Sequence, residues 1–340
     1  MVMAKVLLAL KKRTGVILFS MNYIDCFNGD ADGICALTQI RLQTPVESEL
    51  ITGVKRDINL LDRVSASRGD MVTVLDVSLD KNRQGLERVL KEGAQVYYCD
   101  HHFAGDEILD HRNLTTVINT TPDVCTSLLV NQTLKGRFLE WAVVGTFGDN
   151  LSRSATALAK PLGLNDNQLD SLKNLGIYLN YNGYGAKLDD LYFDPAELFK
   201  RTSQHKTAMA FMEDDAQTFG TLESGYHGDM KKAADLKPEF DQSHAAVFML
   251  PNEAWARRVS GVYGNDLANL SPDRAHAVIT QLESNDYMVS VRAPLNNKKG
   301  ADQICRQFPT GGGRAAAAGI NNLAASDLAK FTDVFSSFYQ

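Results

Sequence analysis

Short apolar runs that end in acidic residues recur through the first 150 positions. YIDCF (23–27) predicts a strand, followed by a Gly/Asp turn and a helix over GICALTQIRLQ (33–43). MVTVLDVS (71–78) predicts a second strand, and KNRQGLERVLKEG (81–93) an amphipathic helix closed by Gly93. AQVYYCD (94–100) and TTVINT (115–120) predict two more strands, with helices or buried segments over 126–134 and 137–150. Strands alternating with helices of this length make βαβ units and a parallel sheet. The pattern turns helical over 151–225. Gly and Pro breakers and a charge run make 223–240 read as a hinge or linker. AAVFML (245–250), AHAVITQL (275–282) and DYMVSVRA (286–293) then predict strands of a second α/β domain.

Length supports this division, since 340 residues exceed what one core usually organises. The expected units are an N-terminal extension (1–20), a first domain with a parallel sheet (21–200), a helical linker (201–240) and a smaller α/β domain (241–340), with the active site in the cleft between the domains. Residues 1–20 look apolar, but Lys11-Lys12-Arg13 interrupts them and no small-residue cleavage site follows, so they read as neither signal peptide nor anchor. An apolar content of 44% with 22% charged residues is that of a soluble globular protein. The net charge of −6 argues against a broad basic face for long nucleic acid, while leaving room for a small anionic substrate in a local pocket. Five scattered cysteines with no CxxC pair suggest neither a disulfide framework nor a zinc ribbon, and point to the reducing cytoplasm with no membrane partner.

The chemistry concentrates where the strands end. Asp30 and Asp32 follow the first strand in NGDADG, Asp76 sits in VLDVS, Asp100-His101-His102 close the third strand, and Asp149 falls in GTFGDN. Any one of these is a turn former or helix cap as readily as a ligand. The whole series, each member behind an apolar run, is harder to explain that way. In an open α/β sheet such ends share one edge, where ligands bind. Carboxylates brought together repel unless a cation offsets them. Oxygen ligands plus an imidazole suit Mn²⁺ or Mg²⁺ better than zinc. The set is large enough for two ions roughly 3.5–4 Å apart, as in two-metal phosphoester hydrolysis.

DAD (30–32), LDVS (75–78), CDHHF (99–103) and GTFGDN (145–150) together resemble the DHH phosphoesterase superfamily. VSVRAP (289–294) and GGGRAAAAGI (311–320) resemble its associated C-terminal domain, so the likeness runs from about Tyr23 to the end. The resemblance implies that Asp30, Asp32, Asp76, His101 and Asp149 hold two Mn²⁺ ions (Mg²⁺ or Co²⁺ as substitutes), with Asp76 bridging. It implies that a metal-bound hydroxide attacks phosphorus, that His102 contacts the scissile phosphate and that Asp100 orients a histidine. Arg292 and the backbone of Gly311, Gly312 and Gly313 would cradle the other end of the substrate.

The chain departs from the family pattern twice. Many small members carry a metal-binding His four residues before the first motif Asp, where this chain has Cys26, with Asn28 nearer the pair. Arg314 replaces the His of the usual GGGH motif, keeps the anion contact and adds a fork suited to phosphate or to the O6/N7 edge of guanine. RAAAAG itself predicts a helix start. The implied activity is cleavage of short linear dinucleotides such as pGpG, or similarly short RNAs. The alternatives are a 3′,5′-bisphosphate (pAp) phosphatase, a cyclic dinucleotide phosphodiesterase and, from another class, a catalytically degenerate nucleotide-binding regulator. Family members often dimerise, so a homodimer is a further expectation.

Overall fold

The computed structural model describes residues 21–107 and 109–340, so the expected extension at 1–20 lies outside the described residues. Strand β1 (Tyr23–Phe27) leads through a tight turn into α1 (Ala31–Gln43), and a short edge strand β2 (Glu49–Ile51) follows. Next come β3 (Met71–Leu75), α2 (Leu79–Lys91), β4 (Gln95–Asp100) and β5 (Leu114–Ile118). All pairs are parallel in the order β2-β1-β3-β4-β5. The chain direction across the sheet therefore switches between β1 and β3, the place where open α/β sheets bind ligands.

The strands are apolar on both faces because helices cover both. Phe27, Leu75 and Cys99 face α1 and the helices that follow β5, whereas Ile24, Cys26, Val74 and Tyr98 face Leu60, Leu61 and α2. Those following helices are α3 (Thr126–Thr133), α4 (Leu139–Gly148), α5 (Ser152–Ala159) and α6 (Asp166–Asn182). After them come α7 (Pro195–Thr202), α8 (Ala208–Asp214) and α9 (Ala216–Ala234).

Helix α9 runs through the first part of 223–240, so the glycines there do not break it. Gly225 is a packing position, where a β-carbon would meet the Tyr192 ring at 2.5 Å. Glycine in a helix costs roughly 1 kcal/mol against alanine, which tertiary packing readily offsets.

The second sheet is mixed. It comprises β6 (Phe240–Asp241), β7 (Ala245–Leu250), β8 (Ala275–Gln281), β9 (Tyr287–Arg292), β10 (Gly311–Arg314) and β11 (Ala317–Leu323). Their order is β10-β11-β9-β8-β7-β6, with only β7 and β8 parallel. Helix α10 (Ala254–Leu270) covers one face, and α11 (Ala301–Cys305) and α12 (Leu328–Tyr339) cover the other. Phe331 and Phe335 of α12 are fully buried there, each a contribution of roughly 1.5–3 kcal/mol.

RAAAAG forms no helix. It is a hairpin in which Ala318 pairs with Val291 and Gly319 with Ser290, so the ladder on β9 overrides alanine's helical preference. Two buried ion pairs tie α10 to the helical segment, Arg257 to Asp190 and Arg258 to Asp229. No described helix is long and apolar enough to cross a membrane.

Candidate metal centre at the carboxyl ends of the first sheet

The turn after β1 places two carboxylates. Asn28 extends the ladder by donating its N–H to Leu75 O (3.2 Å). Asp30 then caps α1, its Oδ1 accepting from the N–H groups of Asp32 (3.0 Å) and Gly33 (3.1 Å). Its Oδ2 accepts from Lys55 Nζ at 2.5 Å. Burial alone would raise the Asp30 carboxyl, but the Lys55 ammonium reverses this and holds it down at about 2. Asp32 points at the start of α3. Its Oδ2 accepts from Thr126 N (2.7 Å) and its Oδ1 from Ser127 N (2.7 Å) and the Ser127 hydroxyl. A helix N-terminus favours an anion there.

Asp76 follows β3 with φ 58, left-handed backbone that is uncommon outside glycine. The turn aims its side chain at the shared edge, where Oδ1 accepts from Thr126 Oγ1 (3.2 Å). Burial first, then the charges of Asp32, Asp30, Asp149 and Asp100, push its carboxyl well up. Such an arrangement is unfavourable without a cation.

His101 and His102 end β4. His101 Nε2 lies 3.4 Å from Asp76 Oδ1, 3.8 Å from Asp149 Oδ2 and 3.9 Å from Asp32 Oδ2. His102 Nδ1 is 2.8 Å from Asp100 Oδ1 and 3.8 Å from Asp76 Oδ1. Burial would lower the His102 imidazole, but the hydrogen bond and charge of Asp100 outweigh it, with Asp30 and Asp32 adding to the rise. Asp149 ends α4, which lies close to α1 because a β-carbon on Gly148 would collide with Ala31. Burial and Asp32 raise the Asp149 carboxyl to about 6, against the opposing pull of Lys55 and His101.

The fold thus gathers Asp30, Asp32, Asp76, Asp100, His101, His102 and Asp149 at one edge. Asn28 joins them at the rim, buried, with Nδ2 donating to Lys55 O (3.3 Å) and Oδ1 without a partner. Cys26 does not join them. It is fully buried on the face with Ile24 and Tyr98, where burial raises its thiol. Strand alternation accounts for this, since Cys26 shares a face with Ile24 and not with Phe27.

Sequence reasoning missed Lys55, which also donates to Asn180 Oδ1 (2.8 Å) and lies 5.6 Å from the Tyr184 ring centre. It sits in an irregular stretch behind a three-residue strand, where no periodicity marks it.

In the second sheet, Arg292 is held by several bonds. Its guanidinium donates to Asn265 Oδ1 (2.6 Å), Ser290 Oγ (3.0 Å), Val291 O (3.1 Å) and Gly261 O (2.9 Å). Burial lowers its pKa, Tyr184 opposes that, and the charges of Arg56 and Arg314 add to the lowering, so three guanidiniums share this neighbourhood. Arg314 is exposed. Gly311 and Gly313 have no room for a β-carbon, the latter also at φ 135, whereas Gly312 faces open space.

No protein-family model and no curated protein matches this chain. Among solved structures it is similar to an exonuclease RecJ bound to manganese, with TM-score 0.61, 16% identity and coverage of 99% of this chain and 93% of that one. It is also similar to the Mn²⁺ complex of RecJ from Thermus thermophilus, with TM-score 0.59, 16% identity and coverage of 94% of this chain and 52% of that one. A pGpG-specific phosphodiesterase, PggH, from Vibrio cholerae matches at TM-score 0.50 and 14% identity, covering 93% of this chain and 99% of that one. The chain has the DHH-type phosphoesterase fold.

Proposed function

We propose that the protein is a metal-dependent phosphodiesterase that hydrolyses short linear dinucleotides, pGpG among them, to mononucleotides. The observation that carries this reading is the meeting of Asp76, His101 and His102, whose ligand atoms lie within 4.8 Å of one another, at the topological switch point of the sheet. The donor set fits a divalent cation. Asp76 is buried among like charges that a bound cation would relieve, and among the described residues the buried Oδ1 of Asn28 and Oδ2 of Asp100 have no hydrogen-bond partner. Asp76, His101 and Asp149 would hold the ion, since His101 Nε2 lies 3.4 Å and 3.8 Å from the two carboxylates, with His102 beside them. When bound, it supplies Lewis-acid polarisation of the phosphoryl group and an activated water. The resemblance implies a second ion at Asp30 and Asp32, but the Lys55 ammonium already occupies Asp30 Oδ2.

The chain's own groups divide the remaining work. Asp100 fixes the ring of His102 through Nδ1, which leaves Nε2 to meet the scissile phosphate. On the second sheet, Gly312 lets a ligand approach the backbone closely and Arg314 offers an exposed guanidinium to the far phosphate or to guanine. Arg292, pinned to α10, sets the positive charge behind them. A net charge of −6 supports a short substrate over a long strand held along a basic channel. The likeness to PggH supports the same substrate class.

Incubation of the purified protein with Mn²⁺ and pGpG, pApA, pAp, cyclic di-GMP or a long RNA separates the possibilities. Conversion of pGpG to GMP, with the long RNA left intact, is the expected result. Survival of pGpG while pAp loses phosphate, or while cyclic di-GMP opens, moves the substrate. Binding of nucleotides with no turnover of any makes the protein a regulator.

A further inference from the structure

Neither carboxylate of the DAD motif has an oxygen free of hydrogen bonds. Asp30 Oδ1 is fastened by two backbone N–H groups of α1, and Asp32 Oδ1 and Oδ2 by two backbone N–H groups of α3. Those donors belong to helix ends and cannot swing away without fraying the helices. The remaining oxygen, Asp30 Oδ2, faces Lys55 Nζ at 2.5 Å. Cys26, on β1 just before the turn, faces the core with Ile24 and Tyr98 and offers no ligand to this edge.

Lys55 is fastened from several sides. Its ammonium also donates to Asn180 Oδ1 at 2.8 Å and rests against the Tyr184 ring, and its backbone N–H donates to Gly183 O at 2.8 Å. The side chain is mostly buried, with 26% of its surface exposed. An ammonium so placed repels a divalent ion at Asp30 Oδ2, because like charges at contact distance in a partly desolvated site interact strongly. We propose that the centre takes a single exchangeable divalent ion, at Asp76, His101 and Asp149, and that Lys55 is its second, built-in cation. This rests on the reading that the centre is metal-dependent.

The chemistry follows from the donor count. An ammonium has three protons, and Asp30 and Asn180 engage two of them. The third is left for a phosphoryl oxygen, whose negative charge grows in the transition state. The lysine thus does part of what a second ion does, as a fixed charge that chelators do not remove.

Metal stoichiometry tests this apart from turnover. Native mass spectrometry of the full chain titrated with Mn²⁺ should count one ion, and its electron paramagnetic resonance spectrum should be that of isolated Mn²⁺. Lys55→Met should bind a second ion, doubling the count and giving a spin-coupled spectrum, while Lys55→Arg should stay at one. Two coupled ions in the wild type overturn the proposal, as does a folded Lys55→Met that still holds one. Should Lys55→Met not fold, the wild-type and Lys55→Arg counts decide alone. An ion count of one without any phosphodiesterase activity would remove the functional reading and leave this one standing. No bound metal would remove both.

Discussion

The two sheets handle charge in opposite ways. In the parallel sheet every strand runs the same way, so whatever follows each strand arrives at the same edge, and there the chain gathers carboxylates. In the mixed sheet the strand ends are split between two edges, and the cationic groups Arg292 and Arg314 lie on β9 and β10, separated by β11. A topology that makes all ends converge builds a dense, buried site that needs a cation. A topology that divides them spreads its cationic groups, Arg292 satisfied by neighbouring protein acceptors and Arg314 exposed. The first site is therefore expensive to perturb and the second cheap.

Substitutions can break that contrast. The largest effect is expected at Asp76. Asp76→Asn should lower kcat by at least about a thousandfold, since the group that gathers the ion is gone. In metal-free protein the same change should raise the melting temperature, because a neutral amide ends the repulsion among buried carboxylates and asparagine suits left-handed backbone. Near wild-type turnover would sink the metal scheme, and a lower melting temperature would sink the account of repulsion. Asp100→Asn comes next. It should cost roughly 10–100-fold in kcat with little change in KM, as expected when a histidine loses its orienting carboxylate. Steady-state kinetics at saturating Mn²⁺ checks the split.

On the second sheet the effects should be smaller and fall on KM. Arg314→Ala should raise KM for dinucleotides several-fold and leave kcat and stability alone. Gly313→Ala should instead destabilise by about 1–3 kcal/mol, because its φ of 135 and the nearby Ala318 tolerate no side chain. Equal effects of the two on a urea melt would mean that the edge is not organised as described.

The mildest test concerns His276, buried in β8 with Nδ1 unpartnered. Burial and the neighbouring Arg274 lower its pKa from 6.5 to about 4. The unfolded chain then takes up this proton first as pH falls, so stability should decline from about pH 6.5 towards pH 4. His276→Gln should flatten that part of the urea midpoint against pH. An unchanged slope would assign the decline to other groups.

How much of this can be read in the sequence follows the same division. The carboxylates are legible because each ends an apolar run in a parallel sheet, where position along the chain translates directly into position in space. Lys55 is not legible, since what brings it to Asp30 is the packing of an irregular segment on the end of α6. The glycine and alanine run reads as a helix start because propensity says nothing of the strand waiting beside it, β9. The glycines of α9 read as helix breakers, although one of them serves contact with Tyr192. Cys26 reads as a missing ligand, although the alternation of β1 already assigns it to the other face.

The left-handed turn at Asp76 also bears on how such a chain drifts. Asparagine and glycine suit that backbone as well as aspartate does. One exchange to either would silence the centre while relieving the charge burden of its surroundings. Selection for a stable, abundant protein cannot by itself preserve Asp76. A descendant that kept only its binding surfaces would look intact by every measure of folding, and its aspartate at this position is the residue to inspect first.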